Sequence, residues 1–60
     1  MRNDQIKVGR WYETVQGVGE CLDVSGTPPN VRVRIVAPFP RGVLNLTPRE
    51  VFREVDPPRR

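Results

Sequence analysis

Val31-Arg32-Val33-Arg34-Ile35-Val36 alternates aliphatic and charged residues with period two, the pattern of a strand with one buried and one wet face. Val31, Val33 and Ile35 point to a core; Arg32 and Arg34 stand side by side on the solvent face. The neighbouring stretches repeat the pattern. Trp11 to Val15 is aromatic and β-branched and predicts a first strand behind the lead-in Ile6 to Arg10. Gly17-Val18-Gly19 interrupts it and predicts a tight turn or a bulge where backbones approach closely. Glu20 to Ser25 predicts a second strand, with Leu22 and Val24 inward and Cys21 and Asp23 outward. The prolines of Gly26-Thr27-Pro28-Pro29-Asn30 lack ladder donors, so this segment is the loop into the Val31 strand.

Pro38 to Gly42 forms the next connection, and Val43 to Thr47 alternates again, placing Leu44 and Leu46 inward. Thr47-Pro48-Arg49-Glu50 has the composition of a capping box with proline at the first helical position. Only one turn has room to form, because Val51 to Val55 already predicts a closing strand. Residues 1–5 read as a flexible N-terminus, residues 6–55 as one domain, and residues 56–60 as a stiff Pro/Arg tail. Short strands separated by Gly and Pro loops, with one 3-10 turn before the last, predict an all-β, five-stranded small barrel.

Antiparallel pairing about these loops sets the expected register. Leu22 faces Val33 and Val24 faces Val31 inside, while Asp23 faces Arg32 and Cys21 faces Arg34 outside. Across the following loop, Arg34 faces Asn45, Arg32 faces Thr47 and Val33 meets Leu46. The product is an outer patch of Arg32, Arg34, Asn45, Thr47, Cys21 and Asp23, with Arg41 at its end.

Charge and size sharpen the picture. The chain has 60 residues, ten Lys plus Arg against seven Asp plus Glu, and a net charge of +3. Its acids are unevenly placed: none lies between Val24 and Pro48, where Arg32, Arg34 and Arg41 fall. A chain this short buries only about 60% of its unfolded surface, which favours help from another subunit and a homo-oligomer. With no His and a single Cys, His-based acid/base catalysis and zinc coordination within one chain are excluded. No catalytic residue, metal ligand or cofactor is therefore assigned. The polar start Met1 to Gln5 predicts neither a signal peptide nor a membrane span, and the lone Cys suits a reducing, cytoplasmic location.

Two classes of partner emerge. A nucleic acid, DNA or RNA, would meet Arg32, Arg34 and Arg41, which hold phosphates through planar guanidinium groups, with Asn45 and Thr47 beside them and the tail bases Arg59 and Arg60 assisting. The structural alternative is that Asp23 pairs with Arg32 and the remainder is a solvated face. A protein partner, an acidic surface or another copy, would meet Phe39 between Pro38 and Pro40, a rigid apolar knob, unless Phe39 folds back over the barrel. Of the adjacent pair Trp11 and Tyr12, one belongs to the core and the other is left to stack on a base or a Pro-rich ligand, unless the tail or the Pro28-Pro29 loop covers it. Gly17-Val18-Gly19 precedes no helix and makes a poor phosphate cradle.

Taken with Val8-Gly9-Arg10-Trp11-Tyr12, Gln16-Gly17-Val18-Gly19-Glu20 and Thr47-Pro48-Arg49-Glu50-Val51, the stretch from Ile6 to Val55 resembles the SH3-like barrel superfamily, including KOW and Tudor modules. That resemblance implies the fold and a binding role, since this barrel hosts unrelated functions. Gly42-Val43-Leu44-Asn45-Leu46-Thr47-Pro48 is also similar to the pore segment Gly-Ser-Val-Gln-Ile-Tyr-Pro of the plasmid-borne type II dihydrofolate reductases. The similarity implies a distant third function, a reductase-like tetramer with Asn45, Leu46 and Thr47 in the pore. The Gln is shortened, the Tyr lost, and the pore lysine has no counterpart nearer than Thr14 or Val15.

Overall fold

A computed structural model describes residues 2–58 of the chain. It is all-β: β1 (Trp11–Thr14), β2 (Gly17–Ser25), β3 (Asn30–Ala37), β4 (Gly42–Leu46) and β5 (Val51–Val55) form one antiparallel sheet in the order β4-β3-β2-β1-β5. A 3-10 turn at Pro48–Glu50 precedes β5, and a second lies at Asn3–Gln5 within the segment read as a flexible N-terminus. The β4 and β5 edges do not pair with each other, so the sheet is not closed.

The alternation of β3 holds: Val31, Val33 and Ile35 are 0 to 1% exposed, while Arg32 and Arg34 are exposed. Every strand adds to the same cluster, through Tyr12 of β1, Cys21 of β2, Leu46 of β4 and Val51 of β5, and Ile6 packs there from the lead-in. No helix or second sheet lies among the described elements to cover this face. The sheet must therefore curl over its own core, and bulges supply the bend.

Three register shifts mark where it bends: at Val18/Gly19 and Cys21/Asp23 against neighbouring β3, and at Glu13/Thr14 against β5. Gly17 and Gly19 lie within β2 rather than in the connection, which is the two-residue turn Val15-Gln16. Of the two alternatives the glycines offered, a turn or a bulge with close approach, the second is found. A Cβ on Gly19 would lie 2.6 Å from Val33 Cγ1 and closer still to the Arg34 carbonyl oxygen; one on Gly17 would meet the Ala37 carbonyl oxygen. Thr14 closes the turn, its Oγ1 donating to Gly17 O at 2.8 Å and accepting from Gln16 N–H at 3.1 Å, which explains a buried hydroxyl. Val15 N–H then donates to Glu50 O at 2.9 Å, tying this turn to the one before β5.

The capping-box reading of Thr47 to Glu50 is recovered in the contacts of Glu50. Its carboxylate accepts from Thr47 N–H and Thr47 Oγ1, both at 3.0 Å, and Glu50 N–H donates to Thr47 O at 2.9 Å. The turn ends after three residues as Val51 returns to extended backbone.

One face assignment is overturned. Leu22 is the extra residue of the bulge between Cys21 and Asp23, so Cys21, not Leu22, faces Val33. Cys21 is buried at 1% exposure and Leu22 is 36% exposed, the reverse of strict alternation. The lead-in fixes the swap: Cys21 N–H donates to Arg10 O and Gly9 N–H donates to Cys21 O, both at 2.9 Å.

Because Gly19 has no room for a side chain, Gly19→Ala should destabilise the fold by about 1 to 3 kcal/mol, the usual cost of overpacking. A urea unfolding midpoint unchanged from the parent would contradict the close packing of β2 on β3.

Candidate functional site

Cross-strand partners share a face, so the ladders assemble the outer surface row by row. One row crosses all the strands: Val43 of β4, Arg34 of β3, Glu20 of β2, Trp11 of β1 and Val55 of β5. A second runs Asn45, Arg32, Asp23, and a third Val18, Glu13, Arg53. Arginine and carboxylate thus interleave toward β1 and β2. Toward β3 and β4 no carboxylate remains.

The two central arginines differ. Arg34 Nη2 lies 2.8 Å from Glu20 Oε1, an ion pair that the bulge makes by moving Glu20, rather than Cys21, opposite Arg34. Arg32 faces Asp23 as expected, yet among the described residues it makes no ion pair. Further out, Arg53 Nε meets Glu13 Oε1 at 3.3 Å and Arg10 Nη1 meets Glu54 Oε2 at 3.7 Å. All these pairs are solvent-washed, and such pairs contribute only about 0 to 1 kcal/mol.

The β3–β4 register also differs from expectation. Arg32 faces Asn45, Arg34 faces Val43, and Val33 meets Leu44. The connection is centred one residue earlier than the Phe39-Pro40 midpoint, with Arg41 N–H donating to Ile35 O at 3.1 Å and Gly42 adopting φ of 73° to start β4. A shift of this kind moves partners by two positions and preserves faces. Asn45 therefore stays in the patch, beside Arg32 rather than Arg34. Thr47 leaves it: the residue lies beyond β4, bonded to Glu50.

Tyr12 is fully buried, its hydroxyl accepting from Lys7 N–H at 2.8 Å and donating to Gln5 O at 3.4 Å. Trp11 is the member of the pair left with surface, on the outer row between Glu20 and Val55. Phe39 is 67% exposed at the tip of the β3–β4 loop, with Pro38 and Pro40 exposed on either side. It does not fold back. Arg41 is exposed in the same loop, and Arg59 and Arg60 lie outside the described residues. Val43, 51% exposed, and Glu20 were missed as members of this surface; the alternation of β4 already put Val43 opposite to Leu44.

Leu46, 4% exposed, belongs to the core. An open hollow of about 400 Å³ lies beside Arg53, Glu54, Val55 and Asp56, across the sheet from Arg32. Among the described residues no group of His, Cys, Asp and Glu could hold a metal, and no helix is long and apolar enough to cross a membrane. Comparison with known proteins finds no family model that matches the chain, and no matching curated protein or solved structure.

Cys21 is thus core rather than wet-face. Burial pushes its thiol above the ordinary value, and the Asp23 and Glu20 carboxylates push the same way. A thiol reagent should modify Cys21 only as fast as the fold opens, and rapid labelling under native conditions would contradict its burial. The raised value also sets a pH dependence. The contribution is fully present below the unfolded thiol range near 8.5 and is lost as pH rises through the folded value. The stability advantage of the parent over Cys21→Ala should accordingly shrink in alkaline buffer; an advantage that grows would contradict the direction.

Proposed function

We propose that the chain is a non-enzymatic binding module, its sheet curled into a small SH3-like barrel, whose β3–β4 half holds a polyanion, DNA or RNA. The observation that carries the reading is the polarity of charge across the sheet. The acid-free stretch from Val24 to Pro48 forms β3, β4 and their loop, and the strand order puts these at one edge. Arg32, Arg34 and Arg41 therefore face approach from the open side with the carboxylates behind them. What supports the barrel is the single core cluster drawn from all strands, with no second layer over it.

In this reading Arg32 makes the first phosphate contact, being free of an ion pair among the described residues. Arg34 exchanges Glu20 for phosphate at little cost, since exposed pairs are weak. Arg41 extends the track along the loop, and Asn45, directly across from Arg32, offers its amide to a base edge. Trp11 lies two strands from Arg34, about 10 Å away at ordinary strand spacing, within reach of a base splayed from a bound strand. The tail bases Arg59 and Arg60 add charge to the same chain. A cytoplasmic setting belongs to the proposal, in keeping with one unpaired buried thiol.

A second reading, a protein-interaction module, rests on Phe39, which stays two-thirds exposed between prolines. The reductase-like reading fares worse, because Leu46, one of its three pore positions, is spent on the core.

Anisotropy titrations with labelled duplex and single-stranded oligonucleotides test the first reading. Three neutralised phosphates predict a log–log salt slope of about −2 to −3, and Arg32→Ala with Arg41→Ala should weaken binding at least about tenfold and flatten the slope by about 2. Glu20→Gln should tighten it by freeing Arg34. Absence of binding to either oligonucleotide at low salt would sink the proposal.

A further inference from the structure

The two edges of the sheet are unequally protected. β5 carries Arg53 and Glu54, both in ion pairs, a register shift in its ladder with β1, and Pro57 and Pro58 close behind it, devices that keep a sheet edge from pairing with another strand. β4 carries Gly42, Val43, Leu44, Asn45 and Leu46, with no charge, no proline and no register shift against β3. Its far side pairs with no described strand, so alternate N–H and C=O groups point away from the sheet there. The bare edge is also the basic one. Arg32 and Arg34 lie on β3 immediately behind it, Arg41 lies in the loop that leads into it, and no carboxylate falls on β3, β4 or their loop.

We infer that the β4 edge takes up an extended acidic peptide of a partner protein as a sixth strand, its carboxylates on the outer face and its intervening apolar residues on the inner one. Two separate observations supply the two halves of that description. An unpaired edge is satisfied by another backbone, through main-chain hydrogen bonds that any sequence can make. The side chains then choose the sequence. Strand partners share a face, so residues set opposite Val43 and Asn45 stand on the side of Arg34 and Arg32. These arginines are two strand spacings from the added strand, about 10 Å. Extended arginine and glutamate side chains meet across that gap, over Val43 and Asn45, which are short and uncharged. Arg32 is the better placed, making no ion pair among the described residues, whereas Arg34 is shared with Glu20 at 2.8 Å. Arg41, next to Gly42, stands at one end of the added strand. On the inner side, Leu44 is partly buried against the core and gains an apolar neighbour.

Charge selects this occupant over the others. A second copy adding through its own β4 would double the arginines of this half and bring no carboxylate to it. A basic peptide would be repelled. A nucleic acid neutralises the arginines but offers no ladder of N–H and C=O groups, so the edge of β4 stays unpaired. An acidic strand answers the charge and the edge together. The arginines are shared with the polyanion reading and the edge is not, so the inference goes beyond that reading and does not rest on it.

The test alters the ligand and leaves the folded chain untouched. The probe is a short, capped peptide of alternating glutamate and valine, fluorescently labelled and titrated with the full chain in the absence of nucleic acid. It should bind with a Kd on the order of 100 µM, because ordering a short peptide consumes much of what its bonds return. Methylating every backbone nitrogen of the peptide removes its donors and keeps its charges, and should weaken binding at least about tenfold. Replacing glutamate by lysine should abolish it. In the complex, amide exchange should slow at residues 42–46 and stay unchanged at residues 51–55. No binding at about 1 mM chain, a methylated peptide that binds like the parent peptide, as attraction of charge alone would give, a lysine peptide that binds equally well, slowed exchange at 51–55 instead, or slowed exchange at 42–46 on concentrating the chain without peptide, as a second copy would give, would each overturn the assignment. Oligonucleotide binding can succeed or fail without bearing on any of these outcomes.

Discussion

Burial on one side only is the constraint from which this structure follows. A lone antiparallel sheet has two faces, and among the described residues no helix or second sheet lies over the apolar one. Its apolar side chains must be covered by the sheet itself. That demands strong curvature, and curvature demands places where backbones come closer than a side chain allows. Gly19 pressed against Val33 and Arg34, Leu22 extruded between Cys21 and Asp23, and the shift at Glu13/Thr14 are such places. Ile6, in a lead-in that Tyr12 anchors through Lys7 and Gln5, packs into the same core.

The same curvature explains what was legible in the sequence. Alternation is a local signal, and where the ladder runs straight it identified the buried face without error: Val31, Val33 and Ile35 in β3, and Leu46 in β4. The turn before β5 was equally readable, because Thr47, Pro48 and Glu50 interact within four residues. Bulges are set by what lies across the ladder, not by the bulged residues. Strict period two therefore inverted Cys21 and Leu22 and hid the pairing of Glu20 with Arg34. Centring a loop is a guess about its turn, and a one-residue error there moved Asn45 from Arg34 to Arg32 and carried Thr47 out of the patch. Faces survived that error because partners shift by two.

Function, where the structure bears on it, is a matter of which half of the sheet is open. Strand order sends the acid-free segment to one edge and leaves Glu13, Glu20 and Asp23 on the inner strands. The outer face is consequently balanced in charge toward β1 and β2 and basic toward β3 and β4. The basic half is also the half whose last strand is uncharged and unpaired on one side.

The account rests on the assignment of faces, and solvent paramagnetic relaxation of the methyl resonances tests it most directly. A soluble relaxation agent should leave Val31, Val33, Ile35 and Val51 nearly untouched while strongly broadening Val8, Val15 and Val43, with Leu22 broadened more than Leu46. Broadening of Val31, Val33 or Ile35 to the level of Val43 would mean that the face carrying Arg32 and Arg34 is not the outer one, and the binding surface described above would not exist.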